Sequence, residues 1–156
     1  MKIAVFPGSF DPITLGHLNI IKKSEKLFDK IIIAIGQNNS KKSLFSTDAK
    51  IQMLKKIFKG AKHISIEKYN TLTVDFCKLN NAEFIIRGLR NTIDFEAEKQ
   101  LALMNEDLEK SITTIFITCD KEYEAISSSL VREIIKHKGQ FDKFIPKEIY
   151  SEIKHL

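Results

Sequence analysis

The chain has 156 residues, 43% of them hydrophobic and 29% charged, with 25 Lys and Arg against 20 Asp and Glu for a formal net charge of +5. A chain of this length is expected to form one domain, 1–156, whose single core buries roughly 70% of the unfolded surface. It holds no apolar run near the ~20 residues a bilayer span needs and no signal-peptide pattern after Met1, so a cytoplasmic protein without a membrane partner is expected.

The first strand-like run is Lys2 to Phe6. It leads into Phe6-Pro7-Gly8-Ser9-Phe10-Asp11-Pro12-Ile13-Thr14-Leu15-Gly16-His17, after which helical periodicity places Leu18, Ile21 and Phe28 on one face. Strand, turn and helix in that order form a phosphate-binding arrangement. Thr14 serves as N-cap, and the helix start turns free backbone N–H groups and a partial positive charge toward an anion. Gly8 permits close approach of the backbone, Ser9 supplies a hydroxyl donor, and His17 projects from the first helical turn toward the same anion. Taken singly these residues are a turn, a turn initiator at Asp11-Pro12 and a solvated histidine. The combination is more specific than its parts, and it is neither a Walker A loop nor a GxGxxG fingerprint.

The second strand, Lys30 to Ile35, is apolar without alternation, as expected where both faces of a parallel sheet are covered. Strand signals recur at His63 to Glu67, Glu83 to Ile86 and Ile112 to Thr118. Arg87 and Arg90 follow the fourth strand and should emerge at the same sheet edge as the first loop. Only three of the 25 basic residues are arginine, the third being Arg132. Arginine grips phosphate or carboxylate through a planar fork that lysine lacks. The following helix offers Asp94, Glu96 and Glu98 as alternative partners for those arginines, and an apolar face at Ile93, Ala97, Leu101, Met104 and Leu108. After the fifth strand, Ser127, Ser128 and Ser129 open another helix, where they can cap it or donate to phosphate oxygens. A last short helix is expected from Pro146. Cys77 and Cys119 lack any metal-ligand or redox spacing and are expected to be reduced packing residues. Five strands with helical crossovers imply an α/β fold, a single Rossmann-like doubly wound five-stranded parallel sheet with helices on both faces. Ligands of such a sheet bind outside the carboxyl ends of its strands.

Gly8 to Pro12 followed by Gly16-His17 resembles the signature of the small nucleotidyltransferases. With Ser40-Lys41-Lys42 before Leu44-Phe45, Arg87-Gly88-Leu89-Arg90, the acidic helix after it, and Ile126 to Glu133, the resemblance narrows to the phosphopantetheine adenylyltransferase family and covers nearly the full length. The chain departs from that pattern with Ser9 where Thr is commoner, Ser43 for a frequent Pro, and Ala125 where an aromatic is usual. The resemblance implies reversible transfer of AMP from ATP to 4′-phosphopantetheine, giving dephospho-coenzyme A and pyrophosphate. The attacking phosphate is already anionic, so no general base or covalent intermediate is required, in keeping with the lack of a Ser-His-Asp or Cys-His constellation.

The resemblance further implies ATP contacts at Ser9, Phe10, His17, Gly88, Leu89, Arg90, Glu98, Tyr123, Glu124, Ala125, Ile126, Ser127, Ser128 and Ser129. Phosphopantetheine contacts are implied at Ser9, Lys41, Thr73 and Arg87, and stabilisation of the transferring phosphate falls to His17, Lys41 and Arg90. Mg²⁺ would accompany the nucleotide through phosphate oxygens and water, with no protein ligand assigned. A homohexamer and feedback by coenzyme A are implied as well, and no nucleic-acid partner. Nicotinate mononucleotide adenylyltransferase and glycerol-3-phosphate cytidylyltransferase types are the nearest rivals, against which Arg-Gly-Leu-Arg with Ser-Lys-Lys argues. A non-catalytic nucleotide or nucleic-acid module is a third reading, marked by binding that falls steeply with salt.

Overall fold

The structure, a computed structural model, describes residues 1–37 and 43–154. Lys41 therefore lies outside the described residues. Five strands, β1 (Ile3–Gly8), β2 (Lys30–Gly36), β3 (Ile64–Tyr69), β4 (Phe84–Leu89) and β5 (Thr113–Thr118), form one sheet in the order β3-β2-β1-β4-β5. Every pairing is parallel. The crossovers carry α1 (Leu15–Ser24), α2 (Thr47–Ile57), α3 (Thr73–Leu79) and α4 (Thr92–Leu108), and α5 (Ser128–Lys136) and α6 (Tyr150–Ile153) follow β5. The chain builds outward from β1 to β3, then returns to β1 and builds the other way through β4. The resulting crevice, outside the carboxyl ends of β1 and β4, is where a doubly wound sheet takes its ligands.

The sheet is covered on both faces, and strand period 2 sorts the side chains. Ala4, Phe6, Ile31, Ile33, Ile35 and Ile86 pack with Ile20 and Ile21 of α1, Leu54 of α2 and the C-terminal Ile149 and Ile153. Val5, Ile32, Ala34 and Ile85 pack on the opposite side with Val74, Phe76 and Cys77 of α3. Two covered faces explain why Ile31 to Ile35 shows no polar alternation.

Boundaries differ from the sequence pattern where a neighbouring strand supplies the pairing. β1 runs two residues beyond Phe6 because Pro7 and Gly8 pair with Ala34 and Ile35. β4 continues past Ile86, with Arg87, Gly88 and Leu89 opposite Phe116, Ile117 and Thr118. Arg87 is thus a strand residue, while Arg90 stands just outside the strand end. Phe28 lies beyond α1, which closes at Ser24, yet it is buried against Phe84 with ring centroids 5.4 Å apart. Both cysteines are buried and unpaired.

The larger departure is α4. Its periodic apolar face does not enter the core of this chain: Ile93, Leu101, Met104 and Leu108 are 80%, 49%, 61% and 57% exposed. No α4 residue is buried, although the Phe95 ring meets Phe116 edge-on at 5.5 Å. Among the described residues, no helix is long and apolar enough to cross a membrane.

Candidate active site

A cavity of about 450 Å³ opens at the carboxyl edge of β1 and β4, inside the range of roughly 300–1,000 Å³ usual for small-molecule sites. Its floor is the loop after β1. Phe10 takes a left-handed backbone conformation, φ 44°, and turns its ring down into the core at 2% exposure. There it meets Phe6 edge-on at 5.5 Å and His17 at 5.2 Å. A Cβ at position 8 would come within 2.8 Å of that ring, so the buried aromatic demands glycine before it. The inward turn of Phe10 leaves Ser9 exposed at the cavity wall.

Thr14 caps α1 through a reciprocal arrangement. Its side chain accepts the His17 N–H, and the Thr14 backbone N–H donates to His17 Nδ1 at 3.1 Å. An Nδ1 that accepts an N–H carries no proton, so the neutral ring is protonated at Nε2. Among the described residues Nε2 has no hydrogen-bond partner, and His17 lines the cavity. Burial against the two phenylalanines, and then the positive charge of Arg90, push the His17 pKa down to about 4. The ring is a neutral donor at physiological pH.

The arginines are held by α4. Arg87 binds Glu98 with its Nε and with Nη2 at 2.6 Å from Oε1, while its Nη1 reaches the Pro7 carbonyl at 3.3 Å. Arg90 binds Asp94 through Nε at 2.9 Å, Nη2 at 3.0 Å and its own backbone N–H at 3.1 Å. Both arginines and both carboxylates line the cavity. The pairing of arginine with helix carboxylate, one of two alternatives open from the sequence, is therefore present in the fold.

The start of α5 closes the opposite wall. The three serines divide their work: Ser127 caps the helix by accepting the Leu130 N–H, Ser128 donates to the Pro12 carbonyl at 2.8 Å, and Ser129 accepts from Arg132 at 3.1 Å. Arg132 also donates to the Asp11 carbonyl at 2.7 Å. The Asp11 carboxylate, 4% exposed, accepts the backbone N–H groups of Leu44 and Phe45 at 2.8 and 2.9 Å. Cys119 borders the cavity as well. Burial, followed by the negative charge of Glu124, raises its thiol pKa, so it stays protonated and offers no thiolate nucleophile.

One cavity gathers Ser9, Phe10, His17, Arg87, Gly88, Leu89, Arg90, Glu98, Ile126, Ser127, Ser128 and Ser129. Tyr123, Glu124 and Ala125 lie outside its lining, in and just after a 3-10 turn at Lys121–Tyr123. Thr73 opens α3 and lines a separate cavity of about 80 Å³ with Leu101 and Asn105, and this cavity shares Pro7 and Arg87 with the larger one. Arg87 thus stands between the two spaces. Sequence reasoning named Asp94 only as an alternative partner of the arginines and gave no site role to Asp11 or Arg132. An Asp-Pro pair reads as a turn, and nothing local shows that its carboxylate reaches residues 33 and 34 positions away.

A family model described as cytidylyltransferase-like matches residues 5–134. A phosphopantetheine adenylyltransferase of Clostridium botulinum (strain Eklund 17B / Type B) is 44% identical over 153 residues, covering 98% of this chain and 96% of the relative. Another from Vesicomyosocius okutanii subsp. Calyptogena okutanii is 46% identical over 154 residues, covering 99% and 98%. The crystal structure of a bifunctional NMN adenylyltransferase/ADP ribose pyrophosphatase from Francisella tularensis superposes with a TM-score of 0.71 at 18% identity. That likeness covers 92% of this chain but only 44% of the other, and it carries the fold alone.

The tautomer and charge of His17 are measurable. At about pH 5.5, where an ordinary histidine is largely protonated, imidazole nitrogen NMR of the free protein should show His17 neutral with its proton on Nε2. A folded pKa of about 4 against 6.5 in a model peptide means that the unfolded chain takes up the proton first. The His17 contribution to stability is thus complete above about 6.5 and falls away as pH drops toward 4. A His17 titration centred near 6.5 in the folded protein would contradict both statements.

Proposed function

The chain belongs to the phosphopantetheine adenylyltransferases, within the cytidylyltransferase-like family, and from that membership we infer that it transfers AMP from ATP to 4′-phosphopantetheine, yielding dephospho-coenzyme A and pyrophosphate in coenzyme A biosynthesis. The observation that carries this reading is the near-full-length match to relatives of that name at 44–46% identity. The cavity supports it by joining two helix starts, three arginines and a neutral histidine in one anion-accepting space.

In the reaction an oxygen of the 4′-phosphate forms a bond to the α-phosphorus of ATP while the bond from that phosphorus to the bridging oxygen of pyrophosphate breaks. No proton need leave the nucleophile, so the chain's task is alignment and charge stabilisation. We assign the triphosphate to the loop Ser9–Phe10, the start of α1 and the serines of α5, where backbone N–H groups and hydroxyls converge. His17 Nε2 donates to the α-phosphate without adding a full charge, and Arg90 supplies the cation beside it. Arg87 and Lys41 take the phosphopantetheine phosphate. The smaller cavity at Thr73, Leu101 and Asn105 takes the pantetheine arm, which fits the position of Arg87 between the two spaces.

Mg²⁺ would accompany ATP and supply charge neutralisation at the phosphates. The carboxylates lining the cavity, Asp11, Asp94 and Glu98, are already engaged by N–H groups and arginines, which favours an ion held by phosphate oxygens and water. Coenzyme A carries both an adenylate and a phosphopantetheine, so it suits the two cavities together as a feedback ligand. A cytoplasmic homo-oligomer, a hexamer by family resemblance, completes the reading. The open apolar face of α4 supports self-association, because a contiguous exposed apolar stripe marks an interface.

Incubation with ATP, Mg²⁺ and 4′-phosphopantetheine should yield dephospho-coenzyme A by mass, and failure to form it would refute the reaction. His17→Ala should lower kcat and kcat/KM together by roughly 10²–10³, the usual effect of losing one preorganised donor, with KM for ATP little changed. Lys41→Ala and Arg87→Ala should each weaken phosphopantetheine binding by roughly 1.5–3 kcal/mol, the worth of a hydrogen bond to a charged group. ATP binding should change less, and equal losses in calorimetry would contradict the division of the site. Met104→Glu should shift the protein to a smaller species in light scattering, whereas an unchanged mass would place the interface elsewhere.

A further inference from the structure

We propose that Asp94 is a positioning residue for adenylyl transfer, acting through Arg90. The proposal rests on the reaction assigned above. Asp94 accepts three hydrogen bonds from Arg90: Nε at 2.9 Å, Nη2 at 3.0 Å and the backbone N–H at 3.1 Å. Its own backbone N–H is fixed by Asn91 Oδ1 at 2.9 Å, the N-cap bond of α4. Main chain, side chain and helix start are therefore tied at one carboxylate.

The choice of edge matters. A guanidinium has five N–H donors, and a carboxylate on Nε and Nη2 occupies only its side. The end formed by Nη1 and the second Nη2 hydrogen stays available, and among the described residues Nη1 of Arg90 has no acceptor. Arg90 lines the cavity, and its charge is felt at His17. Side-on Asp94 and an end-on phosphate are therefore compatible partners: the carboxylate aims the fork, and the phosphate occupies the free edge. Glu98, one helical turn along α4, holds Arg87 by the same two nitrogens, so the helix aims both arginines in one manner.

A carboxylate that merely competed with phosphate for Arg90 would have the opposite effect on catalysis, which makes the role testable. Asp94→Asn keeps the volume but sets an NH₂ donor against the arginine donors and breaks the fork. We expect kcat to fall roughly tenfold, the cost of one misaligned charge-assisted contact, with KM for ATP within about twofold because the arginine charge remains. In an Arg90→Lys background, where no fork exists, Asp94→Asn should change kcat by less than about twofold. Equal losses in both backgrounds would show that Asp94 does not act through Arg90, and a rise in kcat/KM would show that it competes with the substrate. A downfield, slowly exchanging Arg90 Nε–H signal in NMR of the free wild-type protein, lost in Asp94→Asn, reports the fork without turnover. Its absence from the folded wild type would overturn the proposal. Absence of dephospho-coenzyme A from the wild type, with that signal present, would fault the assigned reaction and not the fork.

Discussion

The buried turn at Asp11-Pro12 is the joint on which the site depends. Asp11 gives its two carboxylate oxygens to the backbone of Leu44 and Phe45, and its carbonyl to Arg132, while the neighbouring Pro12 carbonyl accepts from Ser128. Three segments far apart in the chain, the loop after β1, the approach to α2 and the start of α5, meet at this point. An unpaired carboxylate or carbonyl in so buried a position would be costly, so each of these bonds constrains the others. The loop is further pinned from below by the Phe10 ring, which fills the space that a Cβ at Gly8 would need.

With the loop fixed, the electrostatics follow. Two helix starts and three arginines by themselves would make the cavity strongly positive, and repulsion would oppose their assembly. Asp94 and Glu98 offset two of those arginines within the fold, and burial keeps His17 neutral. The cavity thereby balances its charge within the fold and remains rich in donors. The cavity presents oriented N–H groups that need no reorganisation, the condition under which electrostatic stabilisation of a transition state is most effective.

Helix α4 joins the site to the exterior. Its first half carries the carboxylates that hold Arg87 and Arg90, and its length carries an apolar stripe that this chain leaves open. Any copy of the chain docked on that stripe would bear on the helix that aims both arginines. Leu101 belongs to both settings, since it is half exposed on the stripe and also lines the smaller cavity beside Thr73.

The sequence by itself determined the α/β class, the parallel sheet and the strand-turn-helix around the first loop. These rest on local features: the apolar run Ile31 to Ile35, the Thr14 cap, and the glycine, serine and histidine spacing after β1. It also narrowed the family, through short motifs that can be read without knowing where they meet. Only the tertiary structure decided the partners. Arg87 proved to be a strand residue because β5 pairs with it, and the α4 carboxylates hold both arginines because the crossover brings that helix back over the end of β4. The periodicity of α4 announced an apolar face but not that this chain's own core leaves it open, since a surface helix can carry the same 3.6-residue pattern as one packed on a core. Asp11 was legible as a turn and not as a joint, because its hydrogen bonds reach across more than thirty residues. The neutral state of His17 was hidden for the same reason: desolvation and the charge of Arg90 arise from packing between segments that the chain order keeps apart.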